Sequence, residues 1–251
     1  VTARIEESAL ILELRPRPET LHHGVVRASV LAFVIDVVAG IPLDQDADTW
    51  TLTSDMSVRM RPIPAPGRID ATNTIVRQGR WSATCTVDLT ADDGAPIATG
   101  AIGFAKTPRK PTDPPKPTVS VGLAASLFRD ADRLDRPLRE EAGIEVIDPA
   151  EGIAQLEVTP GLRNPAGTLQ GAMVALLAEA AAEDLLATRF AAPVVITDLD
   201  LRYLRKAQVG PVRTRSTLLG VGPDVPVQVE LIDTSTGLVT TLVYARAATI
   251  S

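Results

Sequence analysis

The stretch Asn164 to Glu183, NPAGTLQGAMVALLAEAAAE, combines a turn-forming pair, glycines at a helix start and a carboxylate within an apolar run. Glu179 stands inside an Ala/Leu run whose apolar residues cover every side of a helix, which marks that helix for burial all round. A carboxylate there is costly unless it is paired, hydrogen-bonded or protonated. Two readings stay open. In one, a nearby Arg or a backbone amide satisfies Glu179 as part of the structure. In the other, the shifted carboxylate takes part in a reaction. Gly171 lies near the start of the same helix, where N–H groups lack intrahelical acceptors and the dipole is positive. Without a side chain it lets a ligand approach, so its N–H suits a developing oxyanion. Packing of the helix against a sheet is the other use of a glycine there. The elements that must position these groups are a turn at Asn164-Pro165 and a helix over 168–188, with Thr168 as the expected N-cap.

The bulk composition narrows the functional classes. The 251 residues suffice for one large domain or two small ones, and 45% hydrophobic with 22% charged residues describes a globular chain. A net charge of −6 disfavours general nucleic-acid binding. Cys85 is the only cysteine, which excludes an internal disulfide and a cysteine metal cluster and fits a reducing, cytoplasmic setting. The first residues, VTARIEESAL, lack the pattern of a signal peptide, and no apolar run reaches a membrane span. His22 and His23 are the only histidines, adjacent and expected on a surface loop. A zinc site and Ser-His-Asp chemistry are therefore disfavoured, and no metal or cofactor is expected.

The chain repeats itself. Displaced by 143 positions, Gly24 falls on Gly167, Ala32 on Ala175, Asp36 on Glu179, Asp55 on Asp198, Arg59 on Arg202 and Gly94 on Gly237. Pattern classes match without a gap. Each copy reads as a short strand (9–14; 153–158), a turn, an apolar helix (25–40; 168–188) and four strands. These strands are 51–60, 67–77, 81–89 and 96–106, then 194–204, 212–219, 227–233 and 238–250. The expected class is α+β, each module a long helix wrapped by an antiparallel sheet. The expected domains are 1–106, a Pro-rich linker 107–120 serving as a stiff spacer, and 121–251. Apolar spacing over 121–142 predicts a helix capping one face of the second copy.

The second copy resembles the hotdog-fold acyl-CoA thioesterases, in the branch typified by the phenylacetate-pathway enzyme. The family pattern is an Asn, a Gly three residues on, then His-Gly-Gly opening the central helix, with an Asp or Glu nine residues after the His. Asn164, Gly167, Gln170-Gly171-Ala172 and Glu179 fall on those positions, and DLDLRYLR (198–205) is similar to the family's second strand. Gln170 replaces the His and Ala172 the second Gly. In the first copy Arg27-Ala28-Ser29 stands at the helix start, Leu21 replaces the Asn, and Asp36 keeps the carboxylate. A hydratase is disfavoured, because no His follows position 23.

The resemblance implies a double hotdog whose sheets join side by side and whose two sites lie between the modules. One would unite Asn164, Gln170 and Gly171 with Asp36. The other would unite Leu21, Arg27 and Ala28 with Glu179. It further implies hydrolysis of an acyl-CoA or acyl-carrier-protein thioester, with Asp36 as base or nucleophile, Asn164 as positioning group and Gly171 as oxyanion donor. Burial among Phe33 to Val38 should raise the Asp36 pKa. Arg27 either neutralises Glu179 or binds an anionic group of the substrate. Arg202, Arg205 and Lys206 either meet CoA phosphates or form a solvated strand end. Pairing of two such chains into a homodimer is also implied. The alternatives are a degenerate hotdog that binds acyl thioesters or lipids without turnover, and a structural partner subunit.

Overall fold

A computed structural model describes residues 1–6, 9–117, 134–222 and 224–250. The expected helix over 121–142 falls largely outside the described residues. The first half holds strands β1 (Thr2–Glu6), β2 (Ala9–Leu14), β3 (Leu21–His22) and β4 (Val25–Val26), then helix α1 (Ala28–Leu43). Strands β5 (Thr49–Met60), β6 (Ile69–Gln78), β7 (Ser82–Ala91) and β8 (Pro96–Pro108) follow. The second half holds a short helix α2 (Leu138–Glu141), β9 (Glu145–Asp148), β10 (Ile153–Leu156) and the long helix α3 (Gly171–Phe190). It ends with β11 (Val194–Tyr203), β12 (Val212–Leu218), β13 (Val227–Asp233) and β14 (Leu238–Thr249).

Twelve strands form one sheet in the order β1-β2-β6-β7-β8-β5-β11-β14-β13-β12-β10-β9. The order reads alike from either edge inward, because each strand sits opposite its equivalent at the 143-residue offset. That holds even for β1 and β9, which the sequence patterning did not reveal. The seam is the antiparallel pair β5–β11, where Asp55 faces Arg202, Ser57 faces Asp200 and Arg59 faces Asp198. Asp55 and Asp198, Ser57 and Asp200, and Arg59 and Arg202 are repeat equivalents, so a pseudo-twofold axis passes between Ser57 and Asp200. Arg59 binds Asp198 at 3.1 Å and Asp200 at 2.7 Å. These pairs are half exposed, so register is fixed mainly by the alternating buried residues of both strands.

Helices α1 and α3 pack together on this sheet. Leu31, Ala32, Val34, Ile35 and Val38 of α1, and Ala175, Leu177, Ala178 and Leu186 of α3, are fully enclosed with Met56, Val58, Leu199 and Leu201 of the seam strands. The many alanines of α3 keep it slim enough to be covered on all sides at interior packing density. Truncating Leu31 would cost about 2–5 kcal/mol.

Two expectations need correction here. The helices begin later than the apolar runs do, at Ala28 and Gly171. The N-cap of α3 is Gln170, not Thr168, because Thr168 is held in the preceding loop by its own carbonyl and amide.

Candidate active site

The loop before α3 is folded by its own polar groups. The Asn164 amide donates to the Thr168 carbonyl at 2.8 Å, and the Thr168 amide donates to Asn164 Oδ1 at 3.1 Å. Gly167, at φ +78, makes the tight turn between them and donates to the Asn164 carbonyl. Asn164 Oδ1 is thus committed to the loop, and the side-chain NH2 is its remaining donor. The chain then enters α3 through Gln170, whose Oε1 accepts from Ala172 N at 2.9 Å and Met173 N at 3.2 Å. Val174 N already donates to the Gln170 carbonyl. Of the first amides of α3, only that of Gly171 has no acceptor among the described residues.

A cavity of about 590 Å³ lies at the start of α3. It is lined by Asn164, Gln170 and Gly171 from one half and by Asp36 and Thr53 from the other, with Tyr203 beside them. Thr53 Oγ1 donates to Asp36 Oδ1 at 2.6 Å. Tyr203 donates its hydroxyl to the Gly171 carbonyl at 3.1 Å, and any Cβ at position 171 would stand 3.2 Å from that oxygen. A side chain there would push the Tyr203 hydroxyl back by a few tenths of an ångström. Asp36 is half-buried and lines the cavity. Burial raises its pKa above the ordinary carboxylate value, and the Thr53 hydrogen bond opposes this only in part. Burial also raises the Tyr203 pKa, and the charge of Asp36 adds to the effect. Tyr203 stays a protonated donor.

The equivalent place at the start of α1 is filled. Glu179 reaches across from α3, and its Oε1 accepts from Ala28 N at 2.7 Å. Its Oε2 accepts from Ser29 N at 3.3 Å and from the Ser29 hydroxyl. Arg27 is buried, with its Nη1 2.8 Å from Glu183 Oε2 and 3.7 Å from Glu179 Oε2. Its closer carboxylate is thus Glu183, one turn further along α3. Burial weakens the Arg27 charge, but Glu183 and Glu179 outweigh it and raise its pKa. Burial and the charge of Glu179 push Glu183 up to about 8, against the pull of Arg27, and its Oε1 lacks a hydrogen-bond partner. His22 Nδ1 lies 3.3 Å from Arg27 Nη2. Burial first and Arg27 second lower the His22 pKa to about 3, so the ring is neutral. His22 therefore belongs to this half-buried cluster, not to the loop surface expected for it; His23 is exposed.

Of the remaining candidates, Arg205 and Lys206 sit at the cavity and Arg202 does not. Arg205 and Lys206 line it and are exposed, with Arg205 Nη1 bonded to the Val239 carbonyl at 2.9 Å. Arg163 joins them from the other side. Arg202 lies on the seam, its Nη1 bonded to the Leu201 carbonyl. Thr53, Tyr203, Ser29 and Glu183 were not singled out in the sequence. Glu183 alone carried a usable signal, lying four residues beyond Glu179 on the same buried helix. Among the described residues, no group of His, Cys, Asp and Glu is arranged to hold a metal ion, and no helix is long and apolar enough to cross a membrane.

No protein-family model and no curated sequence matches the chain. Solved structures do. A protein described as an oleoyl thioesterase, from Lactobacillus plantarum, superposes with a TM-score of 0.67 at 13% identity, covering 96% of each chain. The 12:0-ACP thioesterase of Umbellularia californica gives 0.65 at 11% identity, covering 96% of this chain and 97% of that one. A hot dog fold protein of unknown function from Alicyclobacillus acidocaldarius gives 0.60 at 10% identity, covering 100% and 96%. At such identities the likeness concerns the backbone, and with the helix-on-sheet architecture above it establishes that this chain has the hotdog fold.

Proposed function

We propose that the chain is a double hotdog that hydrolyses acyl thioesters at one site, the cavity between Asp36 and Gly171. The observation that carries this reading is a juxtaposition. One cavity presents a half-buried carboxylate of raised pKa and, among the described residues, the one amide of the first turn of α3 left without an acceptor. The thioesterases among the similar folds support the same reaction class. The motif from Asn164 to Glu179 favours the phenylacetate-pathway branch. The domains are 1–106 and 121–251, joined by 107–120. The exposed cations Arg163, Arg205 and Lys206 suit the phosphates of a CoA or carrier-protein arm. The lone, buried Cys85 fits a reducing compartment such as the cytoplasm.

In the reaction, Asp36 takes a proton from water as the water oxygen attacks the thioester carbonyl carbon. The carbonyl oxygen becomes an oxyanion and accepts the Gly171 N–H, aided by the positive end of α3. Asn164 orients the water or the carbonyl through its NH2. Collapse breaks the C–S bond, and the leaving thiolate takes the proton that Asp36 removed from the water, which restores the carboxylate. In the alternative route Asp36 attacks the carbonyl carbon and expels the thiolate, and water then hydrolyses the mixed anhydride to release the acid and restore Asp36. Tyr203 and Gln170 hold the first turn of α3, Gln170 by absorbing the two amides that would otherwise compete for the oxyanion.

Free-thiol release from a panel of acyl-CoA and acyl-carrier thioesters tests the reading. Hydrolysis that disappears in Asp36→Asn is expected. Saturable binding of acyl thioesters with no release from any of them would make the chain a non-catalytic binder. Two copies are proposed to associate, and a monomer by light scattering would refute that part.

A further inference from the structure

The hairpin between β6 and β7 ends in an apolar, cationic tip. Gly79 N donates to the Ser82 carbonyl at 2.8 Å and closes the turn, which leaves Arg80 and Trp81 as its two central residues. Turns favour Gly, Pro, Asn, Asp or Ser at such places. Trp81 is instead 55% exposed, and the Arg80 guanidinium stacks 4.7 Å from its ring centroid. Two residues of β6 extend the apolar surface. Ile75 pairs with Cys85 and Arg77 with Thr84, so Val76 is the extra residue of a bulge. Ile75 is 43% and Val76 61% exposed.

The tip is positively charged. Arg77 and Arg80 are exposed, Lys106 follows at the neighbouring end of β8, and residues 71–82 contain no Asp or Glu. Asp46 feels the Lys106 charge, and its oxygens already accept Asp48 N and the Thr49 hydroxyl. The net charge of −6 opposes approach to an anionic surface. At 0.1 M salt, however, charges are screened within ~10 Å, so the cations of the tip decide its local attraction.

The fold does not need these residues. At the 143-residue offset Gly220 takes the place of Arg77 and Asp224 that of Trp81, and β12 and β13 pair as an antiparallel hairpin without them. An exposed indole beside aliphatic side chains and arginines suits the bilayer–water interface. There the indole sits at headgroup level and guanidinium groups meet lipid phosphates. The tip also borders the cavity. The Trp81 carbonyl accepts Lys106 N at 2.8 Å, Ser82 pairs with Ala105, and Ala105 and Thr107 line the cavity.

We infer that the β6–β7 tip docks on an anionic lipid surface, with Ile75, Val76 and Trp81 in the interface and Arg77 and Arg80 on headgroup phosphates. Docking brings the cavity close to the lipid. It follows from the tip alone, whether or not the cavity hydrolyses thioesters.

Binding of the full chain to vesicles of phosphatidylcholine, alone or mixed with phosphatidylglycerol, tests this. Binding to the mixed vesicles that weakens with salt is expected. Trp81 emission should move to the blue and be quenched by lipids brominated on their chains. Trp81→Ser should lower the partition coefficient about tenfold or more. Arg77→Gln and Arg80→Gln should lower it about fivefold each. Trp50, which is buried and remains in Trp81→Ser, should escape quenching. All three positions are exposed, and an unchanged melting temperature checks that each variant keeps the fold. Failure to bind the mixed vesicles, or binding that all three variants retain, overturns the inference. Binding to soluble polyglutamate, with no response of Trp81 to vesicles, assigns the cations to an acidic protein partner and overturns it too. A Trp81 shift that follows protein concentration without lipid gives the tip to a second copy of the chain, with the same consequence.

Discussion

Asp36 and Glu179 occupy equivalent positions of the repeat and differ by one methylene, yet the two ends of the molecule have separate fates. Glu179 is long enough to cap the opposite helix, taking the Ala28 and Ser29 amides. Asp36 stops short of α3, takes the Thr53 hydroxyl instead, and leaves the Gly171 amide facing a cavity. The N-caps differ in the matching sense. Gln170 folds back on its own helix, whereas Arg27 turns inward to Glu183. One end thereby becomes a self-satisfied polar core and the other a site with an unmet donor. In a duplicated fold, reach decides which carboxylate serves structure and which is left for chemistry.

This contrast can be broken in graded steps. Asp36→Asn should lower hydrolysis by about 10²–10⁴-fold, because an amide cannot take the proton. In the wild type, the rate should also fall with acid at a pH above the ordinary carboxylate range, since the raised Asp36 pKa protonates the base early. Steady-state rates from pH 4 to 9 would show this, and an acid limb at the ordinary Asp value would count against Asp36. Arg27→Met should cost about 3–5 kcal/mol of stability in urea unfolding, because it leaves two buried carboxylates without their cation. Its kcat should be that of the wild type.

Asp36→Glu is the sharpest probe of reach. The added methylene should let the carboxylate cap Gly171 as Glu179 caps Ala28. The rate should drop roughly tenfold or more, ~1.4 kcal/mol, although a base is retained. Full activity in this variant would dismiss the reach argument. A smaller effect concerns Glu183. Its folded pKa, about 8, lies above the ordinary value of 4.5. The fold therefore favours the protonated form, and this stabilisation is complete below about 4.5 and is lost as pH rises through about 8. Melting temperatures of Glu183→Gln should lack that decline between those limits. Tyr203→Phe should cost least, about 0.5–1.5 kcal/mol, through loss of its bond to the Gly171 carbonyl.

Much of the architecture was legible in the chain. The offset of 143 gave every strand pair but β1 and β9, and the alternation within β5, β11 and β13 placed those strands to within two residues. Asp36, Asn164, Gln170 and Gly171, singled out from the resemblance, line one cavity. These features rest on patterns that recur along neighbouring residues, and burial periodicity is written locally. The N-cap of α3 was misplaced because Thr is a favoured cap residue and Gln is not, and only the loop's hydrogen bonds hand the role to Gln170.

The tertiary structure alone decided the rest. Glu179 meets Ala28 across 151 positions, and Arg27 meets Glu183 across 156. Lys116 meets Asp44 across 72. Composition fixes that such charges need partners, because burial without them is too costly. Which partner each finds depends on side-chain reach measured in ångströms between distant segments, a quantity that exists only once the two helices lie together on the sheet.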